Sequence, residues 1–267
     1  FYKNMQYLKN LNNEQIEAVT HMDGPLLIVA GAGSGKTKVL TSKIAHIIDQ
    51  KRAFPNQILA VTFTNKASRE MQNRVSTLLK QNATGMKWLG TFHSLSAKFL
   101  RKHAKALGLN HNFTILDQDD QLRLIKNICK AENIDIKKIS PNYILAVIDK
   151  WKNRGWYPSD VSIKKTEILE KHFLKIYKIY QEKLLDLNSC DFGDLLLHCV
   201  KLFEKNSDIC QIYSKNFKYI LVDEYQDTNI IQSKWLKLLS SHHENICCVG
   251  DDDQSIYSWR GAKSTNI

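Results

Sequence analysis

The chain has 267 residues, of which 43% are hydrophobic, so it can form one large domain or two smaller ones with buried cores. Its 38 basic and 27 acidic side chains give a net charge of +11, which favours a polyanionic partner. The six cysteines show no Cys-x-x-Cys pair and no zinc spacing, which argues against a disulfide scaffold or a zinc site. No apolar run reaches the roughly 20 residues of a membrane span, and no signal peptide is visible. We therefore expect a cytoplasmic protein, whose natural start is Met5 or lies upstream of Phe1.

The first candidate element is a short helix over residues 11–19, with Asn12 or Asn13 as its N-cap. Gln15 lies in this helix. Its carboxamide carries a donor and an acceptor, which matches the N6/N7 edge of adenine. The alternative is an exposed glutamine that is simply solvated.

A glycine-rich turn follows an apolar strand at residues 26–30 and precedes a helical apolar pattern at residues 38–48. This context predicts a phosphate-binding loop, in which Lys36 reaches the outer phosphates and the Thr37 hydroxyl binds Mg²⁺. The predicted nucleotide-binding residues are Ala30, Gly31, Ala32, Gly33, Ser34, Gly35, Lys36 and Thr37. The intact Gly-Lys-Thr and both flanks favour this interpretation over an ordinary strand-to-helix turn.

Two further strands are predicted at the start of residues 58–67 and over residues 88–94, each followed by an aromatic and hydrogen-bonding side chains. Ligands of open parallel sheets bind at the carboxyl ends of the strands. Phe63 and Phe92 are therefore candidates for stacking on the bases of single-stranded nucleic acid. The equally weighted alternative is that both are core residues.

Residues 107–190 read as a helical insertion into this α/β core, because helical patterns over 119–132, 141–152 and 167–187 replace the strands. Lys152 and Arg154 are candidates for contact with a phosphate backbone, whereas Trp151 and Trp156 are expected in the core.

Acidic residues follow the last predicted strands. Asp223 and Glu224 end an apolar strand, which predicts Asp223 as a Mg²⁺ ligand and Glu224 as the group that orients or deprotonates water. A final strand through Cys247 and Cys248, two expected core residues, leads to the polar Gln254. Aromatic Tyr257 and Trp259 follow beside Arg260.

Taken together, these motifs resemble the superfamily 1 DNA helicases of the UvrD/PcrA/Rep group along the whole chain. Residues 11–15 are similar to their Q motif and 30–37 to their Walker A. Residues 62–67 and 90–94 are similar to two DNA-contact motifs, and 222–229 and 249–262 to motifs II and III.

The resemblance implies an ATP- and Mg²⁺-dependent 3′–5′ helicase or translocase on single-stranded DNA, acting in repair or replication. It implies a RecA-like P-loop sheet over residues 1–106 and 191–267, with an all-helical, DNA-contacting subdomain inserted at 107–190. Partners would be single-stranded DNA and single-strand/duplex junctions. Gln15 would read adenine, Lys38 would also contact the nucleotide, and Gln254 would sense the γ-phosphate. The implied DNA contacts are Phe63, Asn65, Thr91, His93, Tyr257, Trp259 and Arg260.

The sequence departs from the family pattern in three places. Lys38 replaces an Arg, Gly193 replaces a third carboxylate between Asp191 and Asp194, and the given chain stops at Ile267, before the second RecA-like domain with its arginine fingers. Because such a finger contributes on the order of 10³–10⁵ in rate, we expect slow ATP turnover and no unwinding from this chain alone. The alternatives are a non-catalytic, nucleotide-gated DNA-binding module and the motor part of a helicase–nuclease related to AddA or RecB. A phosphate-loop kinase is disfavoured, since nothing reads as a phospho-acceptor site.

Overall fold

A computed structural model describes residues 5–31, 33–79, 85–162 and 168–251, apart from the side chains of 168–170. Within these ranges the helices are α1 Asn13–Thr20, α2 Lys36–Asp49, α3 Asn65–Leu79, α4 Phe92–His103, α5 Gln118–Ala131, α6 Pro141–Asn153, α7 Ile168–Asp186, α8 Phe192–Lys205, α9 Ser207–Asn216 and α10 Ile230–Ser240. The strands are β1 Leu26–Val29, β2 Ile58–Thr62, β3 Leu89–Thr91, β4 Thr114–Ile115, β5 Ser189–Cys190, β6 Tyr219–Val222 and β7 Ile246–Gly250. None of these helices is long and apolar enough to cross a membrane.

Five strands form one sheet in the order β1-β7-β6-β2-β3, and every neighbouring pair is parallel. This confirms the predicted α/β class with a parallel P-loop sheet. The parallel direction places the carboxyl ends of all five strands at one edge of the sheet. The glycine-rich turn, Asp223 and Asp251 therefore share that edge with the ends of β2 and β3.

The three central strands of the sheet are buried, as expected for apolar strands of a parallel sheet that helices cover. Every residue of β2, β6 and β7 is buried, including the predicted core residues Cys247 and Cys248. Helices α2 and α3 pack against the sheet through apolar side chains such as Ile44 and Met71, which belong to the same core cluster as Leu221.

The chain divides into two compact units. The first consists of residues 1–95, 207–228 and 236–267, and the second of residues 96–206 and 229–235. The second unit is mainly helical, and its core cluster lies between α5, α6 and α7. This core contains Trp151 and Tyr177, with Trp156 partly buried at its edge. The second unit also contains a short parallel ladder between β4 and β5, two residues long in each strand. Strands this short cannot be recognised from a sequence pattern. The predicted limits 107–190 stay a prediction.

The end of β3 differs from its prediction. The strand stops at Thr91, and Phe92 opens helix α4 instead of extending the strand. The hydroxyl of Thr91 accepts a hydrogen bond from the Ser94 N–H at 3.1 Å, and the Ser94 hydroxyl accepts one from the Thr91 N–H at 2.9 Å. This reciprocal capping starts the helix. Phe92 is 1% exposed, so for this residue the core alternative is correct.

Candidate nucleotide-binding site

The glycine-rich turn connects β1 to α2 through left-handed backbone. Gly33 and Gly35 have φ values of 76° and 84°, a region that favours glycine. The first helical hydrogen bond of α2 runs from the Val39 N–H to the Gly35 carbonyl at 3.0 Å. The N–H groups of the first turn therefore have no carbonyl partner within the helix, and an anion would be stabilised there. Ala32 lies outside the described residues.

Lys36 lies over the start of this turn with only 9% of its surface exposed. Its ammonium donates a hydrogen bond to the Ala30 carbonyl at 3.0 Å and forms an ion pair with Asp251. A phosphate would compete with both oxygens for the same ammonium group. The side chain therefore has a local anionic partner that a stronger anion can replace.

Thr37 and Asp223 meet across the sheet edge, although they are far apart in the sequence. The Thr37 hydroxyl donates a hydrogen bond of 3.2 Å to Asp223 Oδ2. Burial raises the pKa of Asp223, and the neighbouring Glu224 carboxylate raises it further. A divalent cation would offset both effects. One hydroxyl and one carboxylate form the small oxygen donor set that Mg²⁺ uses together with water and phosphate oxygens, so these residues fit the ion.

Glu224 has a φ of 50°, which is left-handed backbone for a non-glycine residue. Its carboxylate accepts a hydrogen bond of 2.5 Å from the Gln226 amide, and the Gln226 oxygen accepts one of 3.1 Å from the Asp251 N–H. Gln226 thus joins the ends of β6 and β7. We assigned no role to Gln226 or Asp251 from the sequence. The only signal was the place of both residues within stretches that resemble motifs II and III.

Gln15 lies beside the turn, on a helix whose N-cap is Asn12, one of the two predicted candidates. Its Oε1 accepts a hydrogen bond from the Asn12 N–H at 3.0 Å, and its Nε2 donates one to the Ser34 carbonyl at 3.0 Å. One N–H and one oxygen lone pair remain for a ligand. Lys38 donates a hydrogen bond of 2.7 Å to the Asn10 carbonyl, two residues before the N-cap of this helix.

The proposed DNA-contact residues with described positions lie at the ends of β2 and β3. Phe63 is partly buried and packs edge-on against the buried Phe92, with ring centroids 5.5 Å apart. Asn65 is exposed at the first position of α3, while Thr91 is 9% exposed. His93 is partly buried, and burial lowers its pKa, which favours the neutral ring.

The prediction that Lys152 contacts a phosphate backbone is wrong. Its side chain is fully buried, with the ammonium 2.6 Å from Asp191 Oδ2 and 2.8 Å from Asp194 Oδ1. These two carboxylates satisfy its charge inside the helical unit, so it presents none to DNA. Arg154, two residues later, is exposed, and its guanidinium carbon lies 5.1 Å from the centre of the Trp156 ring.

The predicted residues after β7 lie outside the described part of the chain. These are Gln254, Tyr257, Trp259 and Arg260.

Known proteins share this sequence over nearly its whole length. The family model for the UvrD/REP helicase N-terminal domain matches residues 11–267. The chain is 52% identical to a probable DNA helicase II homolog of Rickettsia conorii over 99% of its own length and 41% of that protein. It is 52% identical to DNA helicase II of Rickettsia typhi, over 99% of this chain and 40% of the relative. It is 46% identical to the ATP-dependent DNA helicase PcrA of Staphylococcus aureus strain Mu50, over 97% and 36%.

The chain therefore spans about two fifths of the length of these relatives. Since the family model covers nearly the whole chain, the motifs and the parallel sheet have one explanation: this chain belongs to the UvrD/REP helicase N-terminal domain family.

Proposed function

We propose that this chain is the ATP-binding part of an ATP-dependent DNA helicase that moves 3′ to 5′ along single-stranded DNA in repair or replication. The observation that carries the proposal is the 3.2 Å contact between Thr37 and Asp223, because it joins the phosphate loop to the acidic end of β6. The membership of the family supports DNA as the substrate.

In this proposal the loop N–H groups and Lys36 bind the triphosphate, while Thr37 and Asp223 hold Mg²⁺. Bound Mg²⁺ supplies neutralisation of phosphate charge. Glu224 orients the attacking water and accepts its proton. The hydrogen bond from Gln226 fixes this carboxylate at the sheet edge. Gln254, outside the described residues, would sense the γ-phosphate.

The DNA side of the proposal uses the ends of the neighbouring strands. Phe63 supplies an aromatic face, and the exposed Asn65 supplies hydrogen bonds to the strand. Thr91 and His93 lie at the end of β3, beside β2. The excess of basic side chains in residues 1–106, 16 against 5 acidic, favours the phosphate backbone as a partner.

The test separates nucleotide binding from hydrolysis in single-turnover experiments with the chain in excess over labelled ATP. We expect Glu224→Gln to retain ATP binding but lose hydrolysis by about 10²-fold or more, because the base is removed while the fold of the loop is kept. Asp223→Asn should weaken binding only when Mg²⁺ is present. Asp208→Asn is the matched control, since Asp208 is an exposed carboxylate on α9, outside the stretches that resemble the helicase motifs.

Two results would contradict the proposal. One is hydrolysis by Glu224→Gln at the wild-type rate. The other is ATP binding that does not depend on Mg²⁺ in the wild-type chain.

A further inference from the structure

The nucleotide helix α2 carries a buried lysine, Lys43, whose ammonium is hydrogen-bonded to the end of helix α1. Lys43 is 3% exposed, and its Nζ donates a hydrogen bond to the Ala18 carbonyl at 2.9 Å and a second one to the His21 carbonyl. Helix α1 ends at Thr20, so both carbonyls belong to its C-terminal end. Carbonyls at this end lack partners within the helix, and the dipole favours a cation there.

Helix α1 is also attached to α2 at its other end. Lys38 donates a hydrogen bond to the Asn10 carbonyl at 2.7 Å, just before the N-cap. Val19, next to the carbonyl of Ala18, packs with Val39 in one buried cluster, and these residues are 0% and 3% exposed. Two lysines and an apolar contact therefore fix α1 along α2.

This attachment determines where Gln15 stands. Its carboxamide bonds the Ser34 carbonyl of the phosphate loop, and a Cβ at Gly35 would lie 3.2 Å from Gln15 Nε2. The approach is close enough that even a small shift of α1 would move the amide out of hydrogen-bond range. The free N–H and lone pair of Gln15 are usable for base recognition only if α1 is held in this place.

We infer that Lys43 is a positioning residue for Gln15 and thereby sets how strongly the site prefers adenine over other bases. This inference rests on the proposed function, since it needs a nucleotide in the loop. Lys43 lies seven residues beyond Lys36, about 10 Å along the helix, and its ammonium is turned to carbonyls of α1. Its loss should therefore affect contacts with the base and leave contacts with the phosphates unchanged.

The test is equilibrium binding of ATP, GTP and inorganic tripolyphosphate to the whole 267-residue chain with Mg²⁺. For Lys43→Met we expect about five-fold weaker ATP binding, since one ligand hydrogen bond is lost. Tripolyphosphate affinity should stay within about two-fold of wild type, so the ATP/GTP preference falls. Gln15→Ala should give the same result, and the double variant should lose nothing further.

Two conservative variants show whether the effect follows the hydrogen bonds of Lys43. Lys43→Arg keeps a charged donor and should retain the ATP/GTP preference. Lys43→Gln keeps a neutral donor and should lose less of the preference than Lys43→Met.

Equal weakening of ATP and tripolyphosphate by Lys43→Met would overturn the inference, as would additive losses in the double variant. A wild-type chain that binds ATP and loses its preference in Gln15→Ala, but not in any Lys43 variant, would overturn the role of Lys43 alone. A wild-type chain that binds no ATP would overturn the proposed function as well.

Discussion

Asp149 is a partly buried carboxyl group on α6, one turn before Lys152. Burial raises its pKa to about 6, and the charge of Asp191 adds to this, while Lys152 opposes it. Because the folded-state pKa lies above the unfolded value, the protonated form is favoured by folding. The stability that this proton contributes is complete below about pH 4 and is lost as the pH rises through about 6.

We therefore expect Asp149→Asn to leave the free energy of unfolding near the wild-type value at pH 4 and to raise it above wild type at pH 7.5. The asparagine keeps the shape of the side chain without the charge that burial disfavours. Urea unfolding of both chains across this pH range measures the difference. A difference in the free energy of unfolding that stays constant over this pH range would contradict the raised pKa of Asp149.

At the level of single residues, the sequence placed Thr37 and Asp223 at one Mg²⁺ site, because the phosphate loop and the acidic strand end have defined places in a parallel sheet. Their direct hydrogen bond is seen only in the structure. The pairing of Lys152 did not follow from the sequence. Its partners lie 39 and 42 residues further along the chain (191 − 152 and 194 − 152), and a lysine in a basic, aromatic turn carries no mark of burial. Lys152 reaches these carboxylates only because α6 packs against α8 in the folded chain.

Two elements of the helical unit, α6 and α8, are joined by a buried ionic cluster. Asp191 caps α8 and accepts a hydrogen bond from the Asp194 N–H at 2.8 Å, while Asp194 accepts one from the Asp191 N–H at 3.2 Å. Lys152 lies between these carboxylates. Although burial disfavours its charge, the two carboxylates hold the pKa of Lys152 above its usual value.

Gly193 leaves space for Lys152 in this ionic cluster. A Cβ at this position would lie 2.8 Å from Lys152 Cδ and 3.3 Å from its Cβ. Any side chain there would displace the lysine stem. Gly193 therefore leaves room for the side chain of Lys152.

Replacing Lys152 by Met should destabilise the chain by about 3–5 kcal/mol, because two buried carboxylates lose their cation. Urea or thermal unfolding measures the loss. Lys150→Met, on the exposed side of the same helix, is the matched control and should change stability by less than about 0.5 kcal/mol. Similar effects of both substitutions would show that the cluster does not stabilise the unit.

Helix limits were predicted closely where the apolar period is long. The pattern over 141–152 became α6, and 167–187 became α7. The strand over 88–94 was too long, since three of its residues entered α4. The side chains of Thr91 and Ser94 begin that helix by local capping, which ends the strand before Phe92.

For the whole molecule, the sheet edge places the nucleotide loop and the DNA-contact candidates on one scaffold. Phe63→Ala should weaken binding of single-stranded DNA by roughly tenfold, the effect of losing one stacked base. Phe54→Ala is the matched control, because Phe54 is an aromatic residue with 72% exposure that we assign to no contact. Fluorescence titration at fixed salt measures both.

Photocrosslinking of single-stranded DNA gives the location directly. We expect label at Phe63 and, beyond the described residues, at Tyr257 and Trp259. Label confined to residues 107–190 would contradict the proposed surface.

Glu224 stands in left-handed backbone, which costs a non-glycine residue roughly 1–2 kcal/mol. Glycine would relieve that torsion and would also delete the carboxylate. A screen of this chain for thermal stability alone should therefore enrich Glu224→Gly. The enriched variants would be more stable but would lack the carboxylate assigned to water activation. Thermostability and chemistry pull this single position in opposite directions.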